Sequence, residues 1–178
     1  MKKRIYIYPF LFLFGFVLGC APAVSTELKA AADTSVSLKK VQENPEAYKG
    51  KVVLWGGRIV QTLPQEDGSA LIEVLEWPLG FWDEPRQTVA FHGRFLVLVK
   101  EPLDFSDYKR GKRITIAGEI QGALEGSKIK ELTDPTYRYP VVMEKEIHVW
   151  KYPFYPYSGA PDYRATWQYY HYDGILRY

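Results

Sequence analysis

The sequence has very few of the residues from which metal sites and nucleophilic active sites are built. Its 178 residues include one cysteine, Cys20, and three histidines. A single cysteine cannot form an intrachain disulfide or a zinc–thiolate cluster. His92, His148 and His171 are far apart and lack the HxxxH and HExxH spacings of metal-binding helices. Because the chain also lacks a GxSxG elbow and a glycine-rich phosphate loop, it predicts no catalytic, metal-binding or cofactor-binding residue and no enzyme.

Acidic residues are close together in one stretch, but they do not form a recognisable catalytic pair. The stretch contains Glu73, Glu76, Asp83 and Glu84. General acid–base catalysis would need two carboxyl groups held near a reacting group. Most acids in such positions are solvated on strand edges or in loops, and we interpret these four in that way.

No apolar run is long enough to serve as a conventional membrane span. The run from Ile5 to Gly19 is shorter than the ~20 apolar residues that a spanning helix needs. It follows the basic start Met1-Lys2-Lys3-Arg4 and ends at a small residue. This pattern predicts a cleaved secretory signal peptide over residues 1–19. The alternatives are an uncleaved N-terminal anchor or an ordinary signal peptide beside an incidental cysteine.

The residues at the end of this run resemble the lipobox of bacterial lipoproteins. Val17, Leu18, Gly19 and Cys20 occupy its four positions, although Leu18 is bulkier than the usual residue. The resemblance implies cleavage between Gly19 and Cys20, a diacylglycerol on the Cys20 thiol and an acyl chain such as palmitate on the new N-terminus. Ala21 stands where an aspartate would signal retention in the inner membrane. The resemblance therefore implies a lipid-anchored protein of the outer membrane.

The charge of the chain does not favour nucleic acid as a partner. Lys and Arg number 23 against 21 Asp and Glu, and three of the basic residues belong to the predicted signal peptide. The remaining chain is close to neutral, so it lacks the basic surface on which nucleic-acid binding depends.

The rest of the chain predicts an all-β domain. Residues 20–33 are small and polar and predict a tether, and a short helix is expected near 36–43 with a further turn to Lys49. Two segments, 48–59 and 108–120, each combine a tyrosine, a Gly-Lys turn, a β-rich strand and a glycine that suggests a bend. This favours a small OB-like Greek-key barrel of five to six strands, and a small β-sandwich is the alternative. Further strands are predicted over 71–77, 88–100, 128–132 and 141–150.

These motifs resemble the Slp family of outer-membrane lipoproteins. The matching residues include Asn44-Pro45 with the following Gly50-Lys51-Val52, Trp55-Gly56-Gly57-Arg58-Ile59, "IEVLEWPL" at 72–79, "YKRGKRITIAGEIQG" at 108–122 and "YRYPVVMEKEIHVW" at 137–150. The resemblance covers 34–151, which we assign as the barrel domain. It implies a lipid-anchored protein of the cell envelope that is linked to starvation, stationary phase or stress. The matching motifs are turns, bends and core strands, and they define no active site.

The last 27 residues, 152–178, are unusually rich in aromatic side chains. They contain eight tyrosines, Phe154 and Trp167, with prolines that prevent a long helix. Such a tail can cover an edge of the barrel, reach a bilayer, glycan or envelope protein, or remain a disordered end.

Two functions remain open for the domain. The first is a structural or binding role in envelope integrity, with the barrel facing the periplasm. The second is a receptor for a small ligand or envelope glycan in an aromatic groove. The residues predicted for that groove are Trp55, Trp77, Phe81, Trp82, Tyr155, Tyr157 and Trp167.

Overall fold

The structure, a computed structural model that describes residues 22–88 and 93–151, is built around five β-strands. The strands are β1 (Val52–Pro64), β2 (Ala70–Glu76), β3 (Arg94–Val99), β4 (Arg113–Glu125) and β5 (Arg138–Trp150). β1, β4 and β5 each have 13 residues, whereas β2 and β3 have 7 and 6. The prediction of an all-β domain is confirmed.

The helical elements are short and lie outside the sheet. They are α1 (Thr26–Ala31), α2 (Leu38–Glu43) and two 3₁₀ turns, Pro45–Tyr48 and Gly126–Lys128. α2 begins after Ser37, whose side-chain oxygen accepts a hydrogen bond from the Lys40 N–H. In residues 22–88 and 93–151, neither helix has the length and apolarity of a bilayer-spanning segment.

The strands close into a barrel in the order β1-β2-β3-β5-β4, and β4 pairs back to β1. Every neighbouring pair is antiparallel except β3 and β5, which run parallel. This closed five-stranded arrangement is that of the OB fold. The predicted OB-like barrel is therefore confirmed.

Glycine is required where the long strands lie against their neighbours. A Cβ atom on Gly57 would collide with the backbone carbonyl of Leu75 in β2, and one on Gly118 would lie 2.5 Å from the Met143 carbonyl oxygen in β5. The register of β4 and β5 shifts beside Gly118, whereas that of β1 and β2 shifts just after Ile59. The irregularities in the strand pairing therefore lie at Gly118 in β4 and close to Gly57 in β1, near the glycines at which bends were predicted.

The barrel interior is filled by alternate residues of all five strands. Trp55 and Phe95 meet inside it edge to face, with ring centroids 5.4 Å apart. α2 closes the core from one side through Leu38 and Val41, both of which are buried. The other members of the core include Ile59, Ile72, Val74, Val97, Ile114, Ile116, Ile120 and Val142.

Two segments cover the outside of the barrel. The first is residues 22–33, called here the N-terminal strap, in which Val24 is fully buried. The Ser25 N–H donates a hydrogen bond to the Glu146 carboxylate in β5, and the Asp33 N–H donates one to the Val52 carbonyl in β1. The strap therefore crosses the outer face formed by β1, β4 and β5.

The second covering segment is the β4–β5 connection, residues 126–137. It places Leu132 in a separate apolar cluster with Leu71, Leu96 and Tyr139. Leu71 and Ile72 are neighbours in β2, and they belong to different clusters because successive side chains of a strand point to opposite faces. β2 is therefore covered on both faces.

Three predicted boundaries differ from the structure. Residues 22–33 are not an open tether, because α1 forms within them and Ala23 and Val24 are buried. Residues 128–132 form turns instead of a strand, because Leu132 turns inward to join the outer cluster. The strand predicted over 88–100 is described only as Arg94–Val99, and residues 89–92 lie outside the described residues.

Candidate binding surface

The structure separates the four aromatic residues of the barrel domain that were predicted to share a groove. Trp55 and Trp77 are each 7% exposed, whereas Phe81 and Trp82 are 78% and 67% exposed. Trp55 points into the barrel, where its ring N–H donates to the Val36 carbonyl at 3.3 Å. Trp77 is covered, and the Arg58 guanidinium lies 5.9 Å from its ring. Two of these four rings are therefore buried, and Phe81 and Trp82 are the two that remain exposed.

The other predicted site residues are not covered by the structure. Gly19 and Cys20, assigned to cleavage and lipid attachment, lie outside the described residues, as do Tyr155, Tyr157 and Trp167 of the tail. Their predicted roles remain predictions.

Phe81 and Trp82 lie at the tip of a tightly folded connection, residues 77–86, called here the aromatic loop. Leu79 and Pro85 form an isolated β-bridge at its base. The Gly80 N–H donates to the Glu84 carbonyl at 2.7 Å, and the Asp83 N–H donates back to the Gly80 carbonyl at 3.1 Å. Asp83 has a φ of 62°, a left-handed conformation that aspartate tolerates better than most residues. The loop therefore has a defined turn and holds both rings outward.

Side chains from the barrel and the strap fix the aromatic loop. The Lys29 ammonium of the strap binds both carboxylate oxygens of Asp83, at 2.8 and 2.7 Å. The Thr115 hydroxyl of β4 donates to the Asp83 carbonyl at 2.6 Å, and the Arg113 guanidinium donates to the Pro85 carbonyl at 3.0 Å. The loop consequently lies on the same outer face as the strap and is joined directly to it.

Glu73, interpreted from the sequence as solvated, is fully buried beneath the β4–β5 connection. Its carboxylate accepts hydrogen bonds from the Gln61 amide at 2.7 Å and the Thr133 hydroxyl at 2.8 Å. The Arg94 guanidinium at 3.4 Å and the Tyr139 hydroxyl at 3.3 Å complete this polar network. Because these donors already occupy both carboxylate oxygens, Glu73 serves to hold the connection on the barrel.

The other acids of this stretch also differ from the solvated side chains that were predicted. Asp83 is buried through its bonds to the strap and β4. Glu76 ends β2 where the chain enters the aromatic loop, and burial raises its pKa to about 7. The sequence held one signal for these positions, since two glutamates interrupt an otherwise apolar strand, "ALIEVLE".

An open groove of about 420 Å³ lies beside the bulged part of β1. Phe105, which is 44% exposed, and Tyr108 give it an apolar wall, and Lys109 and Arg110 supply positive charge. Burial raises the pKa of the Tyr108 hydroxyl, with smaller contributions from nearby acids. The remaining lining residues are Val60, Gln61, Thr62 and Thr133. The sequence did not reveal this groove, because its residues come from three separate segments.

Within the described ranges, 22–88 and 93–151, no group of three or more His, Cys, Asp or Glu side chains is arranged to hold a metal ion. The two surfaces that could bind another molecule are the aromatic loop and the groove beside β1.

The fold is a closed five-stranded barrel with an N-terminal strap on its outer face. The model of the family described as "Outer membrane lipoprotein Slp family" matches residues 17–175. The chain belongs to this family, which is one of outer membrane lipoproteins. The match extends beyond the predicted range of 34–151 and also includes residues 17–33 and 152–175.

A curated relative supports the same class. The chain is 29% identical over 114 residues to "Uncharacterized lipoprotein YeaY" of Escherichia coli (strain K12). The aligned region covers 64% of this chain and 58% of the relative. The chain thus spans somewhat more than half the length of this relative, whose printed name states a lipoprotein and no activity.

Proposed function

We propose that the chain is held in the inner leaflet of the outer membrane by acyl chains on Cys20, with its barrel facing the periplasm. In this proposal it has a non-enzymatic structural or binding role in envelope integrity during stationary phase or stress. The observation that carries the proposal is the position of Cys20 three residues before Ala23, the first buried residue of the strap. An anchor at this place would hold the barrel directly against the membrane.

The chemistry of the anchor supports stable attachment. Each buried CH₂ group of an acyl chain contributes about 0.8 kcal/mol, and stable anchoring requires more than one chain. A diacylglycerol on the Cys20 thiol together with an acyl group on its amine meets this requirement.

The arrangement of the acidic side chains supports a non-enzymatic role. Of the acids in this stretch, Glu73 and Asp83 are the most deeply buried, at 0% and 8% exposed. Glu73 is bound by Gln61 and Thr133, and Asp83 is bound by Lys29. Both carboxylates therefore hold covering segments on the barrel.

The anchor is tested by the intact mass of the full-length chain extracted from membranes, beside Cys20→Ser. We expect the wild-type mass to equal residues 20–178 plus diacylglycerol and one acyl chain, and Cys20→Ser to retain its leader. Ser25→Ala, five residues later, is the control and should be processed like the wild type. An unmodified full-length wild type would exclude lipid anchoring at Cys20.

Sorting is tested by the residue after the cysteine. Ala21→Asp should move the acylated chain from the outer-membrane to the inner-membrane fraction, and Ala21→Ser should leave it in the outer membrane. Equal distribution of both variants would remove the support that Ala21 gives to the outer-membrane assignment.

The envelope role is tested in cells that lack the protein. We expect stationary-phase cells to become more permeable to a detergent or a large antibiotic, and the wild-type gene to restore the barrier. Cys20→Ser should fail to restore it. Rescue by the unanchored variant, or no change on deletion, would contradict the role.

The groove beside β1 supports a second candidate function, the binding of an acidic envelope glycan. Its volume of about 420 Å³ falls within the range of small-ligand sites. Phe105 offers a ring for stacking, while Lys109 and Arg110 can meet a carboxylate. Calorimetry with a muramic-acid-containing disaccharide tests it. Phe105→Ala and Arg110→Ala should weaken binding and Lys128→Ala should not, whereas heats indistinguishable from buffer would exclude this ligand class.

A further inference from the structure

The aromatic loop holds two large apolar rings in solvent without allowing them to fold back. Phe81 and Trp82 contact each other edge to face, with centroids 5.0 Å apart, and both remain more than half exposed. The backbone N–H of Trp82 donates to the Glu84 carboxylate at 2.9 Å, and the Leu79–Pro85 bridge closes the base of the loop. Rigidly presented, solvent-exposed rings of this kind mark a contact with another surface.

The strap places these rings beside the N-terminal end of the domain. Lys29 of α1 binds Asp83, which directly follows Trp82 in the chain. The same strap is fixed to β5 by Ser25 and to β1 by Asp33. The aromatic loop and the start of the domain therefore share one outer face of the barrel.

The length of chain before the strap limits the distance to the anchor. Ala23, which is buried, lies three residues after Cys20, and three residue steps span at most about 11 Å when fully extended. The segment from Ala23 to Lys29 includes the first turn of α1, which shortens it further. An acylated Cys20 therefore keeps the bilayer near the face that carries Phe81 and Trp82.

We propose that Phe81 and Trp82 insert into the headgroup region of the bilayer that holds the acyl chains of Cys20. This inference rests on the lipid anchor of the proposed function and adds a second, protein-mediated contact with the membrane. Tryptophan is favoured at membrane interfaces, where its ring and its N–H group are both accommodated. Lys29 and Arg86, whose side chains are 47% and 55% exposed, flank the tip and are paired with Asp83 and Glu84.

The exposed rings of Phe81 and Trp82 are better suited to a bilayer than to a glycan. Phe81 has no polar group, and the Trp82 side chain has a single hydrogen-bond donor. The nearest polar side chains, Asp83 and Glu84, are already bonded to Lys29, Arg86 and the loop backbone. The tip therefore presents apolar area with few directional contacts, which suits lipid.

A fluorophore placed at the tip tests the proposal in the full-length acylated chain. Cys20 is the only cysteine, and in the anchored protein its sulfur is held in the thioether to diacylglycerol, so Phe81→Cys adds one free thiol for an environment-sensitive NBD label. The matched control is Phe105→Cys, another exposed phenylalanine that lies in the groove. Both labelled variants are reconstituted in phosphatidylethanolamine–phosphatidylglycerol vesicles, with and without doxyl-labelled lipid.

We expect the label at position 81 to shift to the blue and to lose most of its emission to doxyl lipid, while the label at 105 keeps its emission. Equal emission loss at both positions, or none at 81, would overturn the inference and leave the anchor intact. A blue shift at 81 in vesicles without emission loss to doxyl lipid would show that another part of the chain covers the tip, and would also overturn it.

The mass of the labelled protein distinguishes a failure of the lipid anchor from a failure of the aromatic loop to contact the bilayer. One label and the acyl mass show that the anchor is present, so a negative result then concerns the aromatic loop alone. Two labels without acyl mass show a free Cys20, and both the anchor and the inference fail. A second measurement leaves Phe81 and Trp82 unchanged. Brominated lipids should quench part of the tryptophan emission of the wild type, and Trp82→Phe should abolish the part of the emission that is quenched.

Discussion

Burial of Glu76 makes the stability of the barrel depend on pH in an unusual direction. The ordinary pKa of 4.5 rises to about 7 because the carboxyl group is desolvated where β2 enters the aromatic loop. Between these values the folded protein holds the proton that the unfolded chain releases. The free energy of unfolding therefore falls as pH rises through this window, and the loss is complete above about pH 7.

The size of the effect follows from the two pKa values. A tenfold change in proton affinity is worth about 1.4 kcal/mol, so the rise from 4.5 to about 7 corresponds to roughly 3 kcal/mol. Glu76→Gln removes the charge and keeps the shape. We expect it to stabilise the barrel by up to about 3 kcal/mol at pH 8 and to have little effect at pH 4.

Urea unfolding of the full-length chain in mild detergent, followed by circular dichroism from pH 4 to pH 8, measures this difference. Glu66→Gln, on the exposed β1–β2 turn, removes the same charge and should change stability by less than about 0.5 kcal/mol. Burial also raises the pKa of Glu144, but that contribution is common to both proteins and cancels. A Glu76→Gln effect that stays constant with pH, or is destabilising at pH 8, would refute the reasoning.

Three further predictions concern the barrel and its coverings. Gly57→Ala should destabilise the protein by about 2–3 kcal/mol in urea unfolding, because the added Cβ would collide with the Leu75 carbonyl of β2. Gly111→Ala has free space around its Cβ and should cost only about 1–2 kcal/mol, because its φ is positive. Glu73→Ala should lower the free energy of unfolding by about 3 kcal/mol, because it leaves buried donors and an arginine without their acceptor; a loss below 1 kcal/mol would contradict that account. Lys29→Ala should raise amide hydrogen exchange in α1 and around Asp83, as seen by mass spectrometry, while exchange in β4 and β5 stays unchanged.

The barrel could be predicted from the sequence because its signals are local. The Gly-Lys turns and the β-rich strands that follow them mark β1 and β4, and Gly57 and Gly118 mark close approaches between strands. The short helix expected near 36–43 was also predictable, and it forms as α2 directly after Ser37. Each of these features depends on neighbours in the chain.

The surfaces could not be predicted, because they depend on contacts between distant residues. Trp55 and Trp82 are the same residue type, yet one lies inside the barrel and the other on a loop tip. Glu73 meets Thr133, 60 residues away, and Lys29 meets Asp83, 54 residues away. Nothing in the local sequence of the strap shows that it would lie against the barrel.

The order in which the ring closes also determines how the chain can be assembled. β1 and β2 form a hairpin early in the sequence. The second edge of β1 can pair only after β4 has been delivered, and β5 must then fill the position between β3 and β4. A chain delivered N-terminus first therefore exposes open strand edges until Trp150 has emerged, and such edges pair readily with other chains. Export of this protein accordingly needs a period of protection that ends only when the last strand arrives.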